Sequence, residues 1–285
     1  MTAQTSAVEA GRVAGSERRH LFDRYRYPMV LLGRLVRTDF KLRYHGSALG
    51  YLWSLLRPLF LFLVLYLVFA KFLNLGAGIP HYPQYLLLGI ILWTYFAEVT
   101  ANSVAAIVAK GDLLRKIDFP KYVIILAGSF SAFINLLLNL AVLGIFMAVG
   151  RVHVSWHAVL IVPLVVELFV FALALSFFLS ALYVRFRDVA FIWEVFMQAA
   201  FYAAPIIYSV SQVPLSIAKL QLLSPMAQII QDARYVLITD QAPTIYDVYG
   251  GRVWVWLVPL AICLVSLVLA AGYFRNRSKY FAEEV

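Results

Sequence analysis

The sequence holds a single cysteine, Cys263, so no disulfide and no cysteine-based metal site can form within one chain. Cys263 lies inside an apolar run and reads as packing. Charge is also scarce. Asp, Glu, Lys and Arg make up 14% of the chain, against about 25% in soluble domains, a shortfall that fits lipid as the main solvent. The eight aspartates are scattered, with no D-x-D or D-x-x-D pair, so the clustered acids that a membrane transferase uses for a metal or a base are missing. The five histidines are scattered too. His153 and His157 have i, i+4 spacing, but no acid stands beside them, which suits a wet membrane edge better than a metal site. The dipeptide Gly-Lys never occurs, so the G-x-x-x-x-G-K-[ST] phosphate cradle is absent. If the protein uses ATP, another subunit must bind it. Nor is there the internal repeat of many secondary transporters.

What the chain has is hydrophobicity, 63% of its residues. Six runs approach the roughly 20 residues a membrane span needs, at about 48–73, 85–108, 121–149, 158–183, 190–209 and 254–274. Backbone polar groups in lipid must be satisfied internally, so the runs are expected as helices; they are too long and too uniformly apolar for barrel strands. The first run follows a long polar stretch and reads as a retained anchor rather than a secretory signal. With the N-terminus in the cytoplasm, 18 of the 24 Lys and Arg fall on the inner side and 5 on the outer, with Arg57 inside the first run. Lys- and Arg-rich loops stay inside, so both termini are expected in the cytoplasm. The net charge of +9 is then topology plus attraction to anionic membrane lipids, and not a nucleic-acid footprint.

The expected fold is an all-α integral membrane protein. A mobile cytoplasmic tail (1–27) precedes an interfacial amphipathic helix (28–45). A transmembrane domain (46–275) has six spans, with short external re-entrant helices between the fifth and sixth. A cytoplasmic tail (276–285) ends the chain. In residues 28–44 Leu32, Leu35, Val36 and Phe40 share one helical face, and Arg34, Arg37, Thr38 and Lys41 the other. This stretch is too charged to span and suits the inner interface, either as a plain anchor or as a basic shelf for a phosphorylated lipid head group. The segment 226–238, MAQIIQDARYVLI, is apolar at helical spacing and needs protein or water cover at membrane depth.

Between the second and third runs the sequence reads AKGDLLRKIDFPKY (109–122), with six charges: Lys110, Asp112, Arg115, Lys116, Asp118 and Lys121. Inserting them in the bilayer would cost about 15–20 kcal/mol, so the segment lies in water. Asp112 suits a helix start, and Arg115 and Lys116 its end. Leu113, Leu114 and Ile117 fall on one side. The spacing fits an ordinary positive loop or a helix that meets a protein partner. The fourth loop, YVRFRDVAF (183–191), would share that partner. Within the spans polar residues are few: Arg57, Glu98, Asn102, Asn135, Asn139, Glu167, Glu194 and Gln198. Asn135 and Asn139 at i, i+4 read as helix bridges. Aromatics reach 15%, serving as interfacial belts, lipid-facing bulk, or flat hydroxyl-tipped surfaces for sugars.

Over residues 30 to 275 the chain resembles the ABC-2 type permeases that export polysaccharides, including O-antigen, capsule, teichoic acid and galactan. LLGRLVRTDFKLRYHGSALGYLW is similar to that family's interfacial helix and first span, and DLLRKIDFPK to its first coupling helix. VRFRDV is similar to its second cytoplasmic contact, and APIIYSVSQVP and LLSPMAQIIQDAR to the approach to its external gate helices. Ser224 stands where Asn is more usual. The resemblance implies a homodimer above two copies of a nucleotide-binding ATPase subunit, with ATP and Mg2+ on that partner and no cofactor or catalytic residue in this chain. It implies ATPase coupling by Lys110, Asp112, Leu113, Leu114, Arg115, Lys116, Ile117, Arg187 and Asp188, the apolar three plugging into a cleft of the ATPase. A lipid-linked polysaccharide would meet Arg34, Arg37, Lys41 and Arg57 at its head group. Its glycan would pass Tyr51, Trp53, Tyr66, Phe196 and Tyr202, across the cytoplasmic membrane. An exporter of a drug or small lipid is the alternative within the same fold. An integral-membrane transferase lacks its acids here, and a scaffold would leave the coupling segment unexplained.

Overall fold

The structure, a computed structural model, describes residues 29–38, 50, 52–116 and 119–284; Lys41, Tyr51 and Ile117 lie outside them. Every regular element among the described residues is helical. Helix α1 covers 29–38. Helix α2 (Leu52–Leu65) continues into a π-helical stretch, Tyr66–Phe72. Next come α3 (Tyr82–Val104), the short α4 (Ala106–Ala109) and α5 (Gly111–Lys116), and α6 (Tyr122–Val149). A 3-10 turn, Trp156–Leu160, leads into α7 (Ile161–Arg185), and α8 is Val189–Ala203. Three short helices follow, α9 (Leu215–Leu222), α10 (Pro225–Leu237) and α11 (Ile245–Val248). A 3-10 turn, Val253–Trp256, opens α12 (Leu257–Arg277), and α13 is Phe281–Glu284.

Five helical units are long and apolar enough to cross a membrane: Leu52–Phe72, Tyr82–Val104, Tyr122–Val149, Trp156–Arg185 and Val253–Arg277. In the sixth expected run, 190–209, the helix is shorter than the run. It stops at Ala203 because Ala204 is extended, with φ −77 and ψ 146. Pro205 follows, and a residue before proline is pushed out of the helical region. Fifteen residues rise about 22 Å, short of the roughly 30 Å hydrocarbon layer. In the segment expected as a C-terminal tail, α12 runs on to Arg277 and α13 folds back on the bundle.

Helix α3 is the axis of the bundle. It buries 72% of its most apolar window, against 17–33% for the other four units, and it packs on α2, α6, α7, α8 and α10. Two of its hydroxyls are satisfied locally: Thr100 Oγ1 donates to the Phe96 carbonyl and Ser103 Oγ to that of Val99, which lets polar side chains sit inside an apolar bundle. Helix α12 lies along α7. The outward faces of α2, α6, α8 and α12 are strongly apolar, with Phe60, Ile145, Phe191 and Val268 all exposed. In water such surface is a liability; in lipid it is the ordinary exterior.

The two ends of the bundle differ. At one end α9, α10 and α11 form a cap, and α10 sinks against α3, α7 and α12. Its Arg234 is fully buried and finds carbonyls rather than an acid. Nε donates to the Tyr85 carbonyl at 3.1 Å and Nη2 to that of Ile206 at 2.6 Å. Nη1 donates to the Pro205 carbonyl and to Gln231 Oε1. The guanidinium lies 3.6 Å from the centre of the Tyr85 ring. Burial pulls its pKa below the usual arginine value, from so high a start that it keeps its proton. Gly89 of α3 makes room: a Cβ there would come within 2.6 Å of Arg234 Nη2. The guanidinium thus pins α10, the chain after α8 and the axial helix together. At the other end α5 and α13 meet, and Leu31 of α1 packs on the cluster they share.

Arg234→Met is expected to destabilise the fold by about 2–6 kcal/mol, because the carbonyls of Pro205 and Ile206 lose a buried donor. Thermal unfolding in detergent micelles checks this; an unchanged midpoint would contradict the pinning role.

Candidate functional site

A groove of about 1230 Å³ runs between α2, α3 and α8, with Asn135 of α6 at its back. Helical periodicity builds each wall. On α3 the lining residues are Trp93, Thr94, Ala97, Glu98, Ala101 and Asn102, and on α8 Trp193, Glu194, Met197, Gln198, Phe201 and Tyr202. On α2 they are Trp53, Ser54, Arg57, Pro58 and Leu61. Spacings of three and four residues put each set on one face. Six of the eight polar residues within the hydrophobic runs therefore converge here: Arg57, Glu98, Asn102, Asn135, Glu194 and Gln198. At 1.5 Å per residue, Arg57 and Glu194 each stand about 7.5 Å from the first residue of their helices and Glu98 about 9 Å from the last residue of α3.

Some of these groups hold the bundle together. Asn135 Nδ2 donates to Glu98 Oε1 at 3.1 Å, tying α6 to α3. Asn139 Nδ2 donates to the Ser54 carbonyl at 3.3 Å, tying α6 to α2. Trp193 Nε1 donates to Thr100 Oγ1 at 3.2 Å, tying α8 to α3. The asparagine pair is thus a set of helix bridges. By contrast Arg57, Asn102, Glu194 and Gln198 make no side-chain hydrogen bond or ion pair among the described residues. A polar side chain at membrane depth is costly unless water, protein or a ligand meets it. The aromatic rings beside them are flat, with Trp193 and Phe196 stacked at 5.2 Å and Phe201 and Tyr202 edge to face at 5.2 Å. Such a surface can take a ring-shaped, hydroxyl-rich solute between its π faces and its amide and carboxylate groups.

Of the expected glycan-path residues, Trp53 and Tyr202 line the groove, and Arg57 shares it. Phe196 is exposed beside it, on Trp193. Tyr66 turns away: it is half-buried, stacked with Phe62 at 5.7 Å, with Lys71 Nζ 5.7 Å from its ring centre. Arg34 and Arg37 lie on the exposed face of α1, whose Leu32, Leu35 and Val36 are half-buried. Glu98, Asn102, Glu194 and Gln198 stand among the polar residues of the runs but not among the expected cargo-binding residues. The i, i+4 steps 94/98/102 and 194/198 were the signal that they share faces.

At the α5 end, Asp112, Arg115 and Lys116 are exposed and Leu113 is half-buried. Leu114 needs a correction as an outward knob. It is 7% exposed and packs with Ile107, Phe119, Phe177, Phe274 and Phe281, so its apolar surface is already used within this chain. The surface α5 offers outward is charged, and Lys110 precedes it at the turn. Arg187 and Asp188 are exposed at the α7–α8 turn, with the Arg187 guanidinium 5.1 Å from the Tyr183 ring centre. Among the described residues no group of three His, Cys, Asp or Glu could hold a metal ion. His157 instead stacks on Trp156 at 4.2 Å.

Multiple long apolar helices around a polar groove, with a charged helical turn at one end, define a multi-pass membrane protein. The chain belongs to the ABC-2 type transporter family, whose model matches residues 30–238. Members of this family are transport subunits without an ATPase site of their own, the ATPase being a separate subunit. The chain is 29% identical over 267 residues to the O-antigen export system permease protein RfbA of Myxococcus xanthus, covering 92% of this chain and 97% of that one. Two O-antigen export system permease proteins RfbA of Klebsiella pneumoniae are 29% and 28% identical over 205 residues, 72% of this chain and 78% of theirs.

The burial difference within α5 is testable. Leu114→Asp is expected to cost about 3 kcal/mol or more by placing a charge in an apolar cluster, whereas Arg115→Glu with Lys116→Glu stays within about 1 kcal/mol. Monodispersity and thermal midpoint in detergent separate the two; equal loss in both variants would contradict the orientation of α5.

Proposed function

We propose that this chain is the membrane subunit of an exporter that moves a lipid-linked polysaccharide across the cytoplasmic membrane, driven by ATP hydrolysed on a separate subunit. The observation that carries this reading is the groove, where unpaired polar side chains and flat aromatics face one space at membrane depth. The O-antigen export permeases that the chain resembles along nearly its whole length support the choice of cargo.

Helix α8 is read as the sixth crossing, its missing length supplied by the chain that follows it. The excess of Lys and Arg supports a cytoplasmic position for α1, α5, the α7–α8 turn and α13, with the cap of α9–α11 outside. The exposed apolar faces of α2 and α8 flank the open side of the groove. A second copy of the chain seated there would close two grooves into one passage, giving a homodimer. Two ATPase subunits, with ATP and Mg2+, would lie beneath it. They would meet Lys110, Asp112, Leu113, Arg115 and Lys116, and Arg187 and Asp188 at the neighbouring turn. Arg34, Arg37, Lys41 and Arg57 would attract the pyrophosphate of the carrier lipid, by charge-assisted hydrogen bonds to its oxygens. Trp53, Tyr202 and the α8 aromatics would stack on sugar faces, and Asn102, Glu194 and Gln198 would exchange hydrogen bonds with sugar hydroxyls.

Depletion of the protein is expected to leave a lipid-linked glycan on the cytoplasmic side. Glu194→Leu combined with Gln198→Leu is expected to lower export by about tenfold or more, with the ATPase still copurifying, since each lost hydrogen bond to a hydroxyl solute is worth about 1 kcal/mol. Unchanged glycan pools together with drug sensitivity would contradict the proposal and favour export of a small molecule.

A further inference from the structure

The residues after α12 look like a solvated tail: Arg275, Asn276, Arg277, Ser278, Lys279, Tyr280. They nevertheless carry a phenylalanine into the protein interior. Phe281 is fully buried. Its ring meets Phe274 of α12 edge to face at 5.4 Å, and Phe274 in turn leans on Phe177 of α7 at 5.1 Å. Helix α13 touches both α5 and α7, and Leu114 of α5 belongs to the same apolar cluster. The turn is closed by Arg277, whose Nη2 donates to Glu284 Oε1 at 3.0 Å and Oε2 at 3.3 Å. The Tyr280 and Ser278 amides donate back to the carbonyls of Arg277 and Phe274.

Neither short helix can stand alone. Helix α13 has four residues and α5 six, while an isolated helix shorter than about 12 residues is marginal. Each is therefore held by what it packs on. The chain joins α5 to α3 through α4, and to α6 through residues 117–121. Through Leu114 and Phe281 it is joined to α12 as well, and α12 reaches α7 and α10.

We propose that residues 277–284 form a clasp, with Phe281 as its anchor and Arg277–Glu284 as its closure, that positions α5 and passes its displacement to α12 and α7. This deepens the reading of α5 as the surface that meets the ATPase, and rests on it. Phe281 is a positioning residue. It touches no cargo and no nucleotide, and its effect runs through the placement of Leu114.

The test uses the full chain with its ATPase in vesicles, and two readouts. Phe281→Ala is expected to leave the complex assembled and basal ATP hydrolysis intact, while export falls by about tenfold. Amide exchange in residues 111–116 should rise by about tenfold as their packing loosens. Phe281→Leu should restore most of both. Arg277→Glu or Glu284→Arg alone should lower export by about threefold, the scale of a partly exposed pair, and the two together should recover it. Unchanged exchange in 111–116 for Phe281→Ala would refute the clasp. Faster exchange with undiminished export would refute the transmission while keeping the contact. Failure of the wild-type chain to bind any ATPase would refute the reading of α5 itself and the proposal with it, and is recognised because it does not depend on residue 281.

Discussion

Hydrocarbon offers a polar side chain no water, and every charged or amide group in this bundle is placed under that constraint. Arg234 shows one solution. Among the described residues it has no carboxylate partner, but the carbonyls of Tyr85, Pro205 and Ile206 converge on its guanidinium, and the Tyr85 ring covers its face. Asn135 and Asn139 show another, each spending its amide on a neighbouring helix. Against these bonded side chains Arg57, Asn102, Glu194 and Gln198 stand out, for they share one groove and have no such partners among the described residues. Groups left open on a common face are the ones a solute or a water column can use.

The same economy organises the two ends. The cap is fastened by a buried cation whose donors reach three separate stretches of chain, so α10 cannot shift without dragging the segment after α8 and the start of α3. The opposite end is fastened by aromatic packing, with Phe177, Phe274 and Phe281 in series and Leu114 beside them. One end is held by directional hydrogen bonds and the other by apolar contact, which yields more readily to small displacements. That contrast is compatible with the proposed coupling role of α5.

Much of this was legible in the sequence. The apolar runs, the basic asymmetry and the short charged segment at 110–118 announced spanning helices and a water-facing turn, because hydropathy and helix signals are local. The break at Pro205 was local too, and the run reaches past it only because Ile206 and Ile207 extend it by composition while proline forbids the helix. The orientation of Leu114 was not readable at all. Leu113, Leu114 and Ile117 suggested an outward apolar ridge, but which side of a six-residue helix is buried depends on Phe274 and Phe281, more than 150 residues away. Phe281 itself sat in a polar context that masked its burial. The groove was half legible: its polar residues were visible one by one, and their convergence waited on three helices being placed side by side.

The central claim is that the face of α8 carrying Glu194 and Gln198 is wet while the outward apolar faces at Val195 and Val268 are dry, against lipid or a second copy. Single cysteines introduced at 194, 198, 195 and 268, with the buried Cys263 replaced by Ser, would be exposed to a charged, membrane-impermeant maleimide in the native membrane from either side. Thiols react through the thiolate, which needs water. Labelling at 194 and 198, with silence at Val195 and Val268, both exposed on apolar faces, is the predicted result. Silence at 194 and 198, or equal labelling at all four positions, would contradict it.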